Sequence, residues 1–196
     1  MLQMDLQGEL YMPVIMRHPF FYQYSDRNSA AMRAICHKAT TESSLIVDQD
    51  LFTCGQVADR MFFLLDGAMD YQQESIFAYK AFAATSVMNG QWISEAAIFV
   101  RWFYPGTMTA KAVSVLLTMH VSLVHGIMEQ YIDLMPHCRK YAKLFLEKIN
   151  EDGEISDVWG DFDMIQDIAQ QAFEEDGRPG NRSSRSSIRT SRTKGA

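Results

Sequence analysis

The chain has 196 residues, of which 47% are hydrophobic and 12% aromatic, enough to bury a substantial core in one domain with additions. Its formal net charge of -6 is unevenly spread: six of the 18 cations and no acidic residue fall in residues 177–196. The body before them sets twelve cations against all 24 acidic residues, a net of -12 that repels a nucleic-acid backbone and excludes such a partner for the folded part.

The opening stretch to about Met16 reads as a helix, with Leu6, Leu10 and Val14 at helical spacing, and His18-Pro19 ends it because the residue before proline avoids the helical region. A second helix is predicted over 28–39, capped by Asn28 or Ser29, with Met32, Ile35, Cys36 and Ala39 on one face. From Ser43 the period shortens. Strands are expected over 45–47, 51–53, 61–65, 69–72, 77–82, 93–97 and 110–119, separated by turn signals at Asp48-Asp50, Cys54-Gly55, Asp66-Gly67, Asn89-Gly90 and Pro105-Gly106. About seven short strands at this spacing argue a sandwich or barrel. Loss of alternation in Met61-Phe62-Phe63-Leu64-Leu65 fits a strand covered on both faces. Helices are expected again over 121–131, 136–149 and 162–173, the last with Phe162, Ile165, Ala169 and Phe173 on one face. Residues 177–196 are Arg, Ser, Thr and Gly with Ile188 as the one apolar side chain beyond alanine, a composition expected to stay disordered.

Chemical motifs are sparse. The cysteines, Cys36, Cys54 and Cys138, are odd in number and match no metal-ligand spacing, which predicts free, mostly buried thiols in a reducing, cytoplasmic compartment. The N-terminus has acidic residues and no apolar segment, unlike a signal peptide, and the longest uncharged run, 112–128, is short for a bilayer span. None of His18, His37, His120, His125 and His137 stands at zinc-ligand spacing from another, and no phosphate loop or nucleophile elbow is present. The run from Lys148 to Trp159 resembles half a calcium loop, with Asn150, Asp152, Gly153, Ile155 and Ser156 at fitting places. Lys148 and Trp159 stand where the first oxygen and the closing carboxylate belong, so it reads as a polar turn. These observations predict no catalytic residue and no metal site, hence no enzyme. The thirteen methionines fall mostly on apolar faces and read as core. The Arg-Ser-Ser repeats of the tail suit a basophilic kinase, and its six cations suit weak contact with an anionic membrane surface.

Three segments, in order, resemble cyclic-nucleotide-binding domains, the family of catabolite-activator-type proteins, kinase regulatory subunits and voltage-gated channels. The first runs from Leu51-Phe52 through Gly55, Ala58 and Met61–Leu65 to Asp66-Gly67. The second, Gly90-Gln91-Trp92-Ile93-Ser94-Glu95-Ala96-Ala97-Ile98, is similar to the family's phosphate-binding cassette. The third is Thr109-Ala110, the strand through Leu117, and the helices that follow. The resemblance implies a mainly β fold with flanking helices: a double-stranded β-helix, jelly-roll-like barrel of about eight strands. It also implies a division into an N-terminal helical segment (1–42), the barrel with closing helices (43–150), a further helix (151–176) and the basic tail (177–196). His18-Pro19-Phe20-Phe21 and the following helix look like what precedes the domain in potassium-channel-type members.

The implied ligand is cAMP or cGMP, held by Gly90, Ser94, Glu95, Ala96, Thr109, Ala110 and Lys111. In the family a glutamate accepts from the ribose, helix amides meet the phosphate, and an arginine pairs with it as a fork. Glu95 stands at the glutamate. Thr109-Ala110 lacks the arginine, leaving Lys111 or Arg101 as substitutes that do not reproduce the fork. The cassette is lengthened by Val100-Arg101-Trp102-Phe103-Tyr104-Pro105-Gly106, whose aromatics are expected to pack it shut. The expected function is a non-catalytic regulatory domain with a degenerate pocket, filled by the protein itself or vestigial, in a channel-type cytoplasmic module, whether cytoplasmic or at the cytoplasmic face of a membrane. The alternatives are a working cAMP/cGMP sensor and a scaffold whose 162–173 helix docks a partner protein.

Overall fold

The computed structural model describes residues 2–74, 84–152, 155–159 and 161–174. The expected strand over 77–82 and the tail over 177–196 lie outside them. Helix α1 (Leu2–Ile15) is followed by α2 (Pro19–Arg27) and α3 (Ser29–Lys38). The helix α2 was not expected, and its origin is the same His18-Pro19 pair that ends α1. His18 is extended (φ -76°, ψ 122°), as the position before proline demands, and Pro19 then stands at the first helical position, where a missing N–H costs nothing. Asn28 closes α2 through its amide to the Tyr24 carbonyl and opens α3 by accepting from the Ala31 amide at 3.0 Å.

The β block comprises β1 (Thr40–Leu45), β2 (Asp50–Phe52), β3 (Arg60–Asp66), β4 (Ala68–Gln73), β5 (Thr85–Met88), β6 (Trp92–Ile93), β7 (Gly106–Ala110) and β8 (Ser114–His120). They form two antiparallel four-stranded sheets, ordered β1-β8-β3-β6 and β2-β7-β4-β5. This is the eight-stranded jelly-roll-like barrel with helices at both ends of the chain. Strand β3 is central to its sheet, and Met61, Phe62, Phe63 and Leu64 are all buried, as the unbroken apolar run required. The single strand expected over 110–119 is two, β7 and β8. The segment expected as a strand over 93–97 is the end of β6 followed by a short helix, α4 (Ala96–Phe99). Between β3 and β4 the chain turns at Gly67 (φ 96°), where a Cβ would lie 2.6 Å from the Val113 carbonyl oxygen, so only glycine fits.

After β8 come α5 (Val121–Met128), a 3-10 turn (Ile132–Leu134), α6 (Met135–Asp152) and α7 (Phe162–Phe173). Asp161 caps α7 by accepting from the Met164 amide at 2.9 Å. Met164, Ile165, Ile168, Ala169, Ala172 and Phe173 are buried against α2 and α6, while Phe162 is 47% exposed. The apolar face expected for this helix is thus covered by the chain's own helices. Arg27 donates to the Phe173 carbonyl at 2.6 Å, tying the last turn of α7 to the last turn of α2. Among the described residues, no helix is long and apolar enough to cross a membrane.

Candidate functional site

The cassette begins at Gly90 (φ 91°), whose amide donates to the Leu64 carbonyl at 2.8 Å and so fixes the cassette to β3. Four residues on, Ser94 adopts φ 60°, a left-handed conformation uncommon for a residue with a Cβ. That turn decides which way the next two side chains face. Ser94 faces Asp157, and Glu95 faces His18 at the junction of α1 and α2.

Inside, Ser94 meets a segment not foreseen in the sequence, residues 155–159, which follows α6. The Ser94 amide donates to the Asp157 carbonyl at 2.7 Å and its hydroxyl to Asp157 Oδ1 at 2.5 Å. Trp102 Nε1 donates to the same oxygen at 2.8 Å, and the Tyr71 hydroxyl donates to Oδ2 at 3.1 Å. The Tyr71 oxygen accepts in turn from the Asp157 amide at 3.3 Å, and Gln73 on β4 donates to the Ile155 carbonyl at 2.7 Å. Asp157 is 1% exposed. Its three side-chain donors are all uncharged, so no cation offsets the loss of water. Burial is therefore the main effect and pushes its carboxyl from 3.8 up to about 6, against the opposing pull of Ser94, Trp102 and Tyr71.

This shift makes the docking of the segment pH-dependent. A carboxyl that titrates near 6 when folded and near 3.8 when unfolded favours the folded state fully below about pH 4 and loses that advantage as pH rises through 6. The difference is about 3 kcal/mol by pH 7. Protection of the Ser94 amide against hydrogen exchange, corrected for intrinsic rate, is expected to be higher at pH 5 than at pH 7.5. Equal protection at both would contradict the shift.

Glu95 is fully buried, and its Oε2 is bonded to Nε2 of the equally buried His18. The α2 amide of Phe20 donates to His18 Nδ1 at 3.2 Å. That nitrogen is therefore an acceptor, the ring proton sits on Nε2, and the imidazole donates to the carboxylate oxygen. Glu95 Oε1 has no hydrogen-bond partner, and the Tyr24 and Tyr141 hydroxyls are likewise buried and unpartnered. Among the sequence candidates, Ala96 is buried at the start of α4. Thr109 and Lys111 lie away from this centre: Thr109 donates to Asp50 at 2.7 Å, and Lys111 Nζ pairs with Asp70 at 3.0 Å. Met108 and Ala110, which alternate with Thr109 on β7, are the buried positions, so Thr109 stands on the solvent face of the second sheet. Arg101 is exposed, with its guanidinium 5.5 Å above the Phe103 ring. The structure thus brings Ser94 to the barrel interior, turns Glu95 outward, and leaves both candidate cations outside.

Of the cassette aromatics, Trp102 and Tyr104 are buried while Phe103 is 47% exposed. Tyr104 stacks on Phe52 with centroids 3.8 Å apart and planes at 6°. The histidines serve local structure: His125 bonds the Ile98 carbonyl at 2.7 Å, His120 the Thr41 hydroxyl at 3.2 Å, and His137 the Ala172 carbonyl at 2.9 Å. Burial pushes the Cys36 and Cys138 thiols up to about 12, which makes them inert. No group of three or more His, Cys, Asp or Glu among the described residues is arranged to hold a metal.

No family model matches the sequence, and no curated protein matches it. Solved structures do. The sensor domain of the transcriptional regulator DNR from Pseudomonas aeruginosa superposes with a TM-score of 0.56 at 17% identity, covering 77% of this chain and 96% of that one. A cyclic nucleotide-binding-like protein from Brucella abortus bv. 1 str. 9-941 matches at 16% identity and a TM-score of 0.44, covering 56% of this chain and 97% of that one. At such identities the likeness is one of fold. The shared architecture is a mainly β, jelly-roll-like barrel with flanking helices, as in the DNR sensor domain.

Proposed function

We propose that this chain is a non-catalytic regulatory domain of cyclic-nucleotide-binding type whose barrel is occupied by its own segment 155–159. One observation carries the reading: the Asp157 carboxylate is the anion that the cassette holds, received by Ser94, Trp102 and Tyr71. A negative group inside the barrel, bonded to the cassette, is the chemistry a cyclic phosphate would require there, met from within the chain. The Glu95 carboxylate, which would face a ribose, is committed to His18 on the other side of the wall. Support for a regulatory role comes from the likeness to a sensor domain of a transcriptional regulator. The channel-type setting implied by the sequence has no counterpart in the two structural likenesses described above.

In this reading, regulation consists of docking and release of the segment, and a partner protein reads the difference through α6 and α7, between which the segment lies. Titration calorimetry of the whole chain with cAMP and with cGMP tests it. The expected result is no heat up to about 1 mM, a concentration where even a ligand worth only about 4 kcal/mol would half-saturate. Micromolar binding would overturn the self-occupied reading in favour of a working nucleotide sensor.

A further inference from the structure

Outside the barrel, a second hollow has no role in this account. A cavity of about 300 Å³ opens to solvent between the α1–α2 junction, the Asn89-Gly90 turn and the start of α7. Arg17, Gly90, Gln91, Trp92, Trp159 and Phe162 line it. Three of the six are aromatic and one is a cation.

The Arg17 side chain is exposed, and its guanidinium makes no hydrogen bond or ion pair among the described residues. Its guanidinium lies over Gly90, where a Cβ would come within 2.7 Å of Nη1. Arg17 also borders two neighbouring hollows along α1 and α2, so space is open on more than one side of the guanidinium. The Trp92 and Phe162 rings stand 6.1 Å apart at 52°, and the buried His18 ring backs Trp92 at 4.7 Å, holding that wall in place. Trp159 forms the third wall and is itself fixed against Phe145, edge to face at 5.7 Å. Rigid aromatic walls around one unpaired guanidinium provide stacking surface together with a charged fork.

We propose that this cavity binds a planar aromatic anion, with its carboxylate or phosphate on Arg17 and its ring against the aromatic wall formed by Trp92 and Phe162. The fork geometry favours arginine over lysine, and the flat walls exclude aliphatic acids of the same charge. The site is separate from the barrel interior and goes beyond the function proposed above, although Trp159 reaches it from the same segment that carries Asp157.

The test uses the whole chain, with calorimetry and tryptophan fluorescence. Anthranilate supplies a ring with a carboxylate, 5′-AMP a ring with a phosphate, and indole and acetate supply one feature each. At least one of the two ring anions is expected to bind and quench fluorescence with a Kd of about 1 mM or tighter, and the single-feature compounds to do neither. Binding by anthranilate alone or by 5′-AMP alone identifies which anionic group the site takes. Arg17→Gln, a surface change that keeps the fold, is expected to weaken binding about tenfold or more, with Arg17→Lys in between. Absence of binding by both ring anions would overturn the proposal. So would binding that is indifferent to Arg17→Gln but abolished by Ser94→Ala, which would place the ligand in the barrel and count against the self-occupied reading instead.

Discussion

Replacing Asp157 by alanine is expected to lower the stability of the chain at pH 7 by about 2–4 kcal/mol, and its Tm by about 10 °C. The substitution strips the acceptor from three buried donors at once: Ser94 Oγ, Trp102 Nε1 and the Tyr71 hydroxyl. Each donor left without a partner costs about 1–3 kcal/mol. Against that stands the relief of removing a carboxylate held at some cost in the interior, so the sum of the three donors is an upper bound. The same variant is expected to lose the rise in protection of Ser94 between pH 7.5 and pH 5, because the group that titrates is gone. Urea denaturation gives the first quantity and hydrogen exchange the second. A variant with unchanged Tm and unchanged pH response would show that the segment rests in the barrel without contributing to it.

The second large effect belongs to His18. His18→Ala leaves a carboxyl at Glu95 that is fully buried and already has one oxygen unpartnered. Leaving this buried acceptor without its donor costs about 1–3 kcal/mol, and loss of the side-chain acceptor for the Phe20 amide at the start of α2 adds about 1 kcal/mol. Glu95→Gln keeps an oxygen for the His18 Nε2 proton and is expected to cost far less, about 1 kcal/mol. A His18→Ala/Glu95→Ala double variant should be less destabilised than His18→Ala and Glu95→Ala added together, since removal of both partners leaves neither buried polar group without the other. The measurement is chemical denaturation of the wild type, His18→Ala, Glu95→Gln, Glu95→Ala and the double variant. Equal losses for Glu95→Gln and His18→Ala would contradict the pairing. In this chain a Glu95 substitution is a stability lesion, where the family resemblance alone would assign it to ligand affinity.

That contrast shows what the sequence could and could not convey. Elements whose burial follows a period were legible: β3 through its unbroken apolar run, α3 through Asn28 and its apolar face, and α7 with both of its bounds. Strand β1 was placed too late, at 45–47, because Thr40–Leu45 is polar and buried only at its two ends, so it carries no alternation. Helix α2 was hidden because proline was read as a stop, when it also makes a favourable first residue. The cassette could be located by its glycine and glutamate, but a position in the chain does not give a direction. The left-handed turn at Ser94, a residue with no marked preference for that conformation, sends Glu95 outward. Asp157 had no local signature at all. It lies in a stretch read as the remnant of a calcium loop, and its partners Tyr71, Ser94 and Trp102 are 86, 63 and 55 residues away. Tyr71 alternates with Met69 on an expected strand, which marked it as inward-facing but not as a donor awaiting an acid.

Those same separations impose an order on biosynthesis. The described strands of the two sheets are all encoded by His120, yet the acceptor for Tyr71, Ser94 and Trp102 is encoded 37 residues later, beyond the whole of α5 and α6. For that interval the Tyr71, Ser94 and Trp102 donors lack the acceptor they have in the complete fold. The acceptor for these donors is therefore a late addition, followed by α7 and its contacts with α2 and α6, and a chain halted before Asp157 carries the described strands without it.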